Sequence, residues 1–106
     1  MFVAIYRFGI QSGKDEAFLE AWAELTKLIY QYENSLGSHI HRSLDEKDAY
    51  IAYAQWPDKN TWENSGNNLP EEADKWRTQM RANCSDIKTI HTLETTLDLT
   101  KKEPYK

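Results

Sequence analysis

The chain has 106 residues, the usual length of one domain, and is 40% hydrophobic and 28% charged, which excludes disorder and predicts a single soluble core. Its formal net charge of −4 excludes the clustered basic surface that nucleic acid or an anionic membrane would require as partners. No apolar run approaches the roughly 20 residues of a membrane span and no signal peptide opens the chain, so a cytoplasmic location is expected.

Phe2-Val3-Ala4-Ile5-Tyr6-Arg7-Phe8 is rich in β-branched and aromatic residues and stops at Gly9, which predicts a first strand. Alternation places Phe2, Ala4, Tyr6 and Phe8 on one face and Val3, Ile5 and Arg7 on the other, so both faces are largely apolar and both are expected to be covered. From Lys14 to about Tyr32, the residues Phe18, Trp22, Leu25, Ile29 and Tyr32 recur at steps of four and three, the spacing of one helical face. Asp15 and Glu16 suit the first turn of that helix, and Asn34-Ser35-Leu36-Gly37 ends it.

Residues 38–44 alternate, and the polar Asp45-Glu46-Lys47-Asp48 joins them to the strand-like residues 49–56, which predicts an antiparallel hairpin. Pro57 lacks the N–H a ladder would use and closes the third strand, and Asp58 is placed to cap a short helix around 59–64. After the break at Ser65-Gly66-Asn67-Asn68, Pro70, Glu71 and Glu72 open a longer helix with Ala73, Trp76, Met80 and Cys84 on one side. A last strand is expected from about Ile87 to Leu97, followed by a mobile tail over 100–106.

The order β, α, β, β, broken α, β predicts an α+β fold of the ferredoxin-like, split βαβ plan over residues 1–99, a four-stranded antiparallel sheet with its helices on one face. The other face is then left for a second copy, and a homodimer is expected.

Four Trp, six Tyr and three Phe favour an aromatic-lined cavity or a dimer seam. His39 and His41, two apart on a strand, point to one face, where they could serve as acid or base, begin a metal site, or stand as structural residues near the seam. No Asp, Glu or Cys in fixed local spacing completes a ligand set, so no metal is expected. Tyr6, Tyr53 and Trp62 could line a cavity and offer polar tips to a ligand, or pack the core. Arg81, or Arg77, could neutralise a developing oxyanion or remain a solvated helix charge. Cys84, the single cysteine, reads as a small buried apolar residue at a helix end or as a nucleophile.

Four stretches resemble the antibiotic biosynthesis monooxygenase family. Tyr6-Arg7-Phe8 is followed by the Ser12-Gly13-Lys14 turn and a helix; Leu36-Gly37-Ser38 enters the second strand; Arg42-Ser43-Leu44-Asp45 closes it; Tyr53-Ala54-Gln55-Trp56 precedes Asn60-Thr61-Trp62. The resemblance implies ferredoxin-like subunits paired as a dimeric α+β barrel. It also implies oxidation of a small aromatic or quinol-like substrate by molecular oxygen with no cofactor, His39 or His41 acting as acid or base and Tyr6, Tyr53 and Trp62 in the wall. The haem-degrading branch of the same superfamily needs a histidine on the second long helix and an asparagine on the first strand, and this chain has neither. The alternative from another class is a non-catalytic dimer that binds a small molecule without turning it over.

Overall fold

The computed structural model describes residues 1–100 and consists of β1 (Phe2–Ile10), α1 (Asp15–Tyr32), β2 (Gly37–Arg42), β3 (Ala49–Trp56), α2 (Lys59–Glu63), α3 (Glu72–Ala82) and β4 (Cys84–Glu94). The strands form one antiparallel sheet in the order β2-β3-β1-β4, the ferredoxin-like arrangement. Apart from Thr100, the expected tail lies outside the described residues.

Strand alternation divides the side chains between two unlike environments. Phe8 and Ile10 of β1 and Tyr50 and Ala52 of β3 pack against Phe18, Ala21 and Leu25 of α1 and Ala73 and Met80 of α3. Phe18 is fully buried between Phe8 and Tyr50, with ring centroids at 5.1 and 5.5 Å. Phe2, Ala4, Ala54 and Trp56 extend this helix-side layer along the sheet. The alternate residues Val3, Ile5, Ile51, Tyr53, His39, His41, His91 and Leu93 share the opposite, helix-free face by their register.

The ends of α1 are fixed by polar bonds. Tyr50 Oη donates to Asp15 Oδ2 at 2.8 Å, tying the first turn to β3, and Asn34, at φ 61°, turns the chain after the helix. Asp58 caps α2 as the sequence predicts, accepting the backbone N–H and the hydroxyl of Thr61, both at 2.8 Å. Those two donors hold its carboxyl below the usual range.

The last strand departs from expectation at both ends. It begins at Cys84, directly after α3, and ends at Glu94, so Cys84 is a strand residue and not the end of a helix. Ile10 pairs with Cys84, and the Gln11 side chain donates to the carbonyls of Ala82 and Cys84, which fastens the start of β4. Ser85, Asp86 and Lys88 hide this strand from sequence reasoning, yet an exposed edge strand tolerates polar and charged side chains. Gly9 lets these side chains lie close to the backbone of β1: a Cβ there would come within 2.5 Å of Asp86 Oδ1 and 2.6 Å of Ser85 Oγ, and both would have to move aside. Strand β2 stops at Arg42, short of 44, because the Ser43 hydroxyl accepts the N–H groups of Asp45 and Glu46 and starts the turn.

Candidate functional site

Between α1, α3 and the sheet lies a cavity of about 190 Å³. Its floor is Tyr6 and Phe8 of β1, Ala52, Ala54 and Trp56 of β3, Ser38 of β2 and Ile87 of β4; its roof is Trp22, Leu25, Thr26 and Ile29 of α1 with Met80 of α3. The space has a local cause. Two alanines stand between Tyr50 and Trp56 on the helix side of β3, and the α1 side chains above do not fill what they leave. The volume is below the roughly 300–1,000 Å³ of drug-sized ligand sites and could hold only a compact molecule. Larger concavities of about 370 and 470 Å³ lie at the sheet end and beside residues 95–100, but strand ends and exposed segments form their walls.

Tyr6 supplies the main polar group of the cavity. Its phenol oxygen accepts a 2.7 Å hydrogen bond from Trp62 Nε1. Burial pushes the phenol above its ordinary value, with the Trp62 bond opposing, so Tyr6 stays protonated at neutral pH. Because Trp62 occupies an acceptor position, the Tyr6 proton is free to be donated to a ligand. Ser38 and Thr26 add hydroxyls to the wall.

A second bond set holds the segment that follows α2. The Glu33 carboxylate, 4% exposed, accepts the backbone N–H groups of Gly66 (2.7 Å) and Asn68 (3.1 Å) and the Asn68 side-chain amide (3.2 Å). These bonds pin the connection between α2 and α3 to the end of α1. Phe2 packs on the Trp62 ring at 5.1 Å between centroids.

The sheet separates the residues the sequence singled out. Tyr6 and Trp62 meet on the helix side. His39, His41 and Tyr53 gather on the opposite face, with His39 6.0 Å from His41 and 6.1 Å from Tyr53 between ring centroids. His91 pairs with Ile5 and shares that face. Arg81 is exposed on α3 and makes no ion pair among the described residues, whereas Arg77 pairs with Asp74 at 3.2 Å. Cys84 is buried, and burial, with Asp86 adding, pushes its thiol up to about 11. Among the described residues no cluster of three or more His, Cys, Asp or Glu could hold a metal ion.

Sequence reasoning missed Trp56, Thr26, Ser38 and Met80 as wall residues. The alternation Tyr50, Ala52, Ala54, Trp56 was the available signal for the floor. Trp56 is 4% exposed, and its Nε1 is buried without a hydrogen-bond partner among the described residues. Such an orphan costs about 1–3 kcal/mol.

The family model described as antibiotic biosynthesis monooxygenase matches residues 1–82. Among solved structures, SnoaB, a cofactor-independent oxygenase from Streptomyces nogalater, superposes with TM-score 0.72 at 15% identity, covering 92% of this chain and 95% of its own. A Nitrosomonas europaea protein provisionally classed as an antibiotic biosynthesis monooxygenase gives 0.73 at 16%, covering 92% and 100%. The protein PA3566 from Pseudomonas aeruginosa gives 0.69 at 17%, covering 91% and 94%. At these identities the structural likeness is one of fold. No curated protein matches the sequence. No helix among the described residues is long and apolar enough to cross a membrane.

Proposed function

The chain belongs to the antibiotic biosynthesis monooxygenase family, and from that premise we propose that it oxidises a small aromatic or quinol-type compound with molecular oxygen, without flavin or metal, in the cavity between α1, α3 and the sheet. The observation that carries this reading is the aromatic, largely apolar wall with one protonated phenol, Tyr6, held in place by Trp62.

The chemistry asks little of the protein beyond that wall. In such a reaction a ring CH₂ and O₂ become a ring C=O and water, and the substrate supplies the electrons. Tyr6 donates to the substrate oxygen and stabilises the negative charge that develops there, while the apolar walls keep water from the anion and the peroxide that follows. Among the described residues no carboxylate, imidazole or amine lines the cavity. The substrate is therefore one whose own acidity yields the anion, a phenol or quinol conjugated to a second electron-withdrawing group.

His39, His41 and Tyr53 belong in this reading to the face that a second copy of the chain covers. That face and the neighbouring edge expose Leu93 (48%) and Ile90 (38%), which supports burial against a homodimer partner. The absence of a base from the cavity wall also favours the second reading, a dimer that binds the same compounds without oxidising them. Oxygen uptake by the metal-stripped protein across anthrones, naphthohydroquinones and catechols separates the two. Uptake that adds an oxygen atom to the product supports the oxygenase; tight binding without uptake supports the binding protein.

A further inference from the structure

We infer that His39 and His41 form a chelating pair for one divalent transition-metal ion, zinc or copper in preference to magnesium or calcium, with the remaining coordination positions left to water. The pair stands across the sheet from the cavity and takes no part in the oxygen chemistry proposed there.

Strand geometry brings the two rings together. Residues two apart on a strand send their side chains to one face from Cα positions about 6.6 Å apart. His39 pairs with Tyr53 and His41 with Ile51, so the ladder with β3 fixes where both side chains start. Their ring centroids are 6.0 Å apart. An ion bound roughly 2.0–2.1 Å from an imidazole nitrogen lies about 3.2 Å from the ring centre, so one ion joins two rings whose centres are up to about 6.4 Å apart. The observed spacing is inside that reach. Both side chains are exposed, so each can turn a nitrogen toward a common point.

The nitrogens have no competing partner. Beyond ring contacts, neither imidazole makes a hydrogen bond or an ion pair among the described residues. The cations of the same face are engaged elsewhere. Arg7, two strands from His41 by register, is held by Glu46 at 2.7 Å and Asp86 at 3.3 Å, and Lys88 lies 3.7 Å from Asp86. Strand β2 is an edge of the sheet, which puts the pair at the rim of the helix-free face, where water reaches an ion.

The donor type selects the ion. Imidazole suits zinc, copper and nickel, whereas magnesium and calcium take oxygen ligands. Two protein ligands fall short of the three or four of a catalytic or structural zinc centre, so the ion held here is exchangeable. His91, also exposed, shares the face but stands in register with Ile5 on β1 and Tyr53 on β3, three strands from His39. At about 4.8 Å per strand that is roughly 14 Å, too far to join the same ion. It serves as a single imidazole on the same face against which the pair is compared.

Titration of the full chain with zinc chloride, followed by proton resonances of the histidine rings, tests this. The signals of His39 and His41 are expected to shift together along one binding curve while those of His91 stay in place, a readout that needs no variant. His39→Gln and His41→Gln are each expected to weaken zinc about 100-fold, because each removes the second, intramolecular ligand, and His91→Gln to leave the affinity unchanged. Cupric ion is expected to bind more tightly than zinc, and magnesium to shift neither ring. No response to excess zinc, equal shifts of all three histidines, zinc affinity that survives loss of His39 or of His41, or a like response to magnesium overturns the inference. None of these outcomes bears on the cavity reading, whose residues lie on the helix side of the sheet.

Discussion

The indole N–H of Trp62 on α2 donates to the phenol oxygen of Tyr6 on β1 at 2.7 Å, and this bond ties the shortest helix to the floor of the cavity. Tyr6→Phe leaves that N–H without an acceptor and is expected to cost about 1–3 kcal/mol in denaturant unfolding. Adding Trp62→Phe removes the orphan, so the double variant should recover part of the loss. A coupling of about 1 kcal/mol between the two sites is expected from the full cycle.

Glu33 is expected to govern the order of the α2–α3 connection. Its buried carboxylate accepts three N–H groups from Gly66 and Asn68. Glu33→Gln weakens these charge-assisted bonds and should cost about 1.5–3 kcal/mol. Hydrogen exchange would show faster exchange of the Gly66 and Asn68 amides, with the amides of β1 and β3 little changed.

Cys84 is expected to be an inert thiol. Its pKa, raised by burial from 9.0 to about 11, leaves about 100-fold less thiolate at pH 8 than an ordinary cysteine has, and iodoacetamide alkylation of the folded protein should slow accordingly. The raised value means that the fold prefers the protonated thiol. The stability this provides is present below pH 9 and lost as pH climbs through about 11. Tyr50, raised above 10.0 by its bond to Asp15, acts in the same sense, its contribution being lost as pH rises above that value. Cys84→Ala should flatten the alkaline part of the stability profile and leave the neutral part little altered.

A charge placed on the helix-free face should break self-association. Tyr53 stands beside His39 there, and Tyr53→Asp would bury an unpaired carboxylate against a second copy. Light scattering at micromolar concentration is expected to give a dimer for the unmodified protein and a monomer for Tyr53→Asp. A monomer in both cases removes the dimer from the account.

The fold was largely legible because its signals are local. Phe18, Trp22, Leu25 and Ile29 mark one helical face, Asp45 to Asp48 mark a hairpin, and Pro57 with Asp58 marks the step from β3 into α2. Strand β4 was legible only in part, since its polar start at Ser85 and Asp86 is stabilised by pairing with β1 across more than 70 residues. The site was harder for a related reason. Alternation shows that Tyr53 and Trp56 face opposite ways, but with apolar residues on both faces of β1 and β3 nothing local says which face the helices cover. That choice divides the candidate residues, placing Tyr6 with Trp62 and His39 with Tyr53. The orphan N–H of Trp56 depends on the packed surroundings of one ring and leaves no trace in the sequence.

The central claim is that oxygen chemistry takes place in the helix-side cavity, and isotopically heavy dioxygen tests it most directly. The metal-stripped protein is incubated with an anthrone under the heavy gas and the product weighed by mass spectrometry, beside Ala54→Phe, which fills the cavity floor, and His39→Ala, which lies across the sheet. The account predicts one heavy oxygen atom in the product with the unmodified protein and with His39→Ala, and none above the uncatalysed background with Ala54→Phe. Product without the label, or labelled product formed equally well by folded Ala54→Phe, would contradict it.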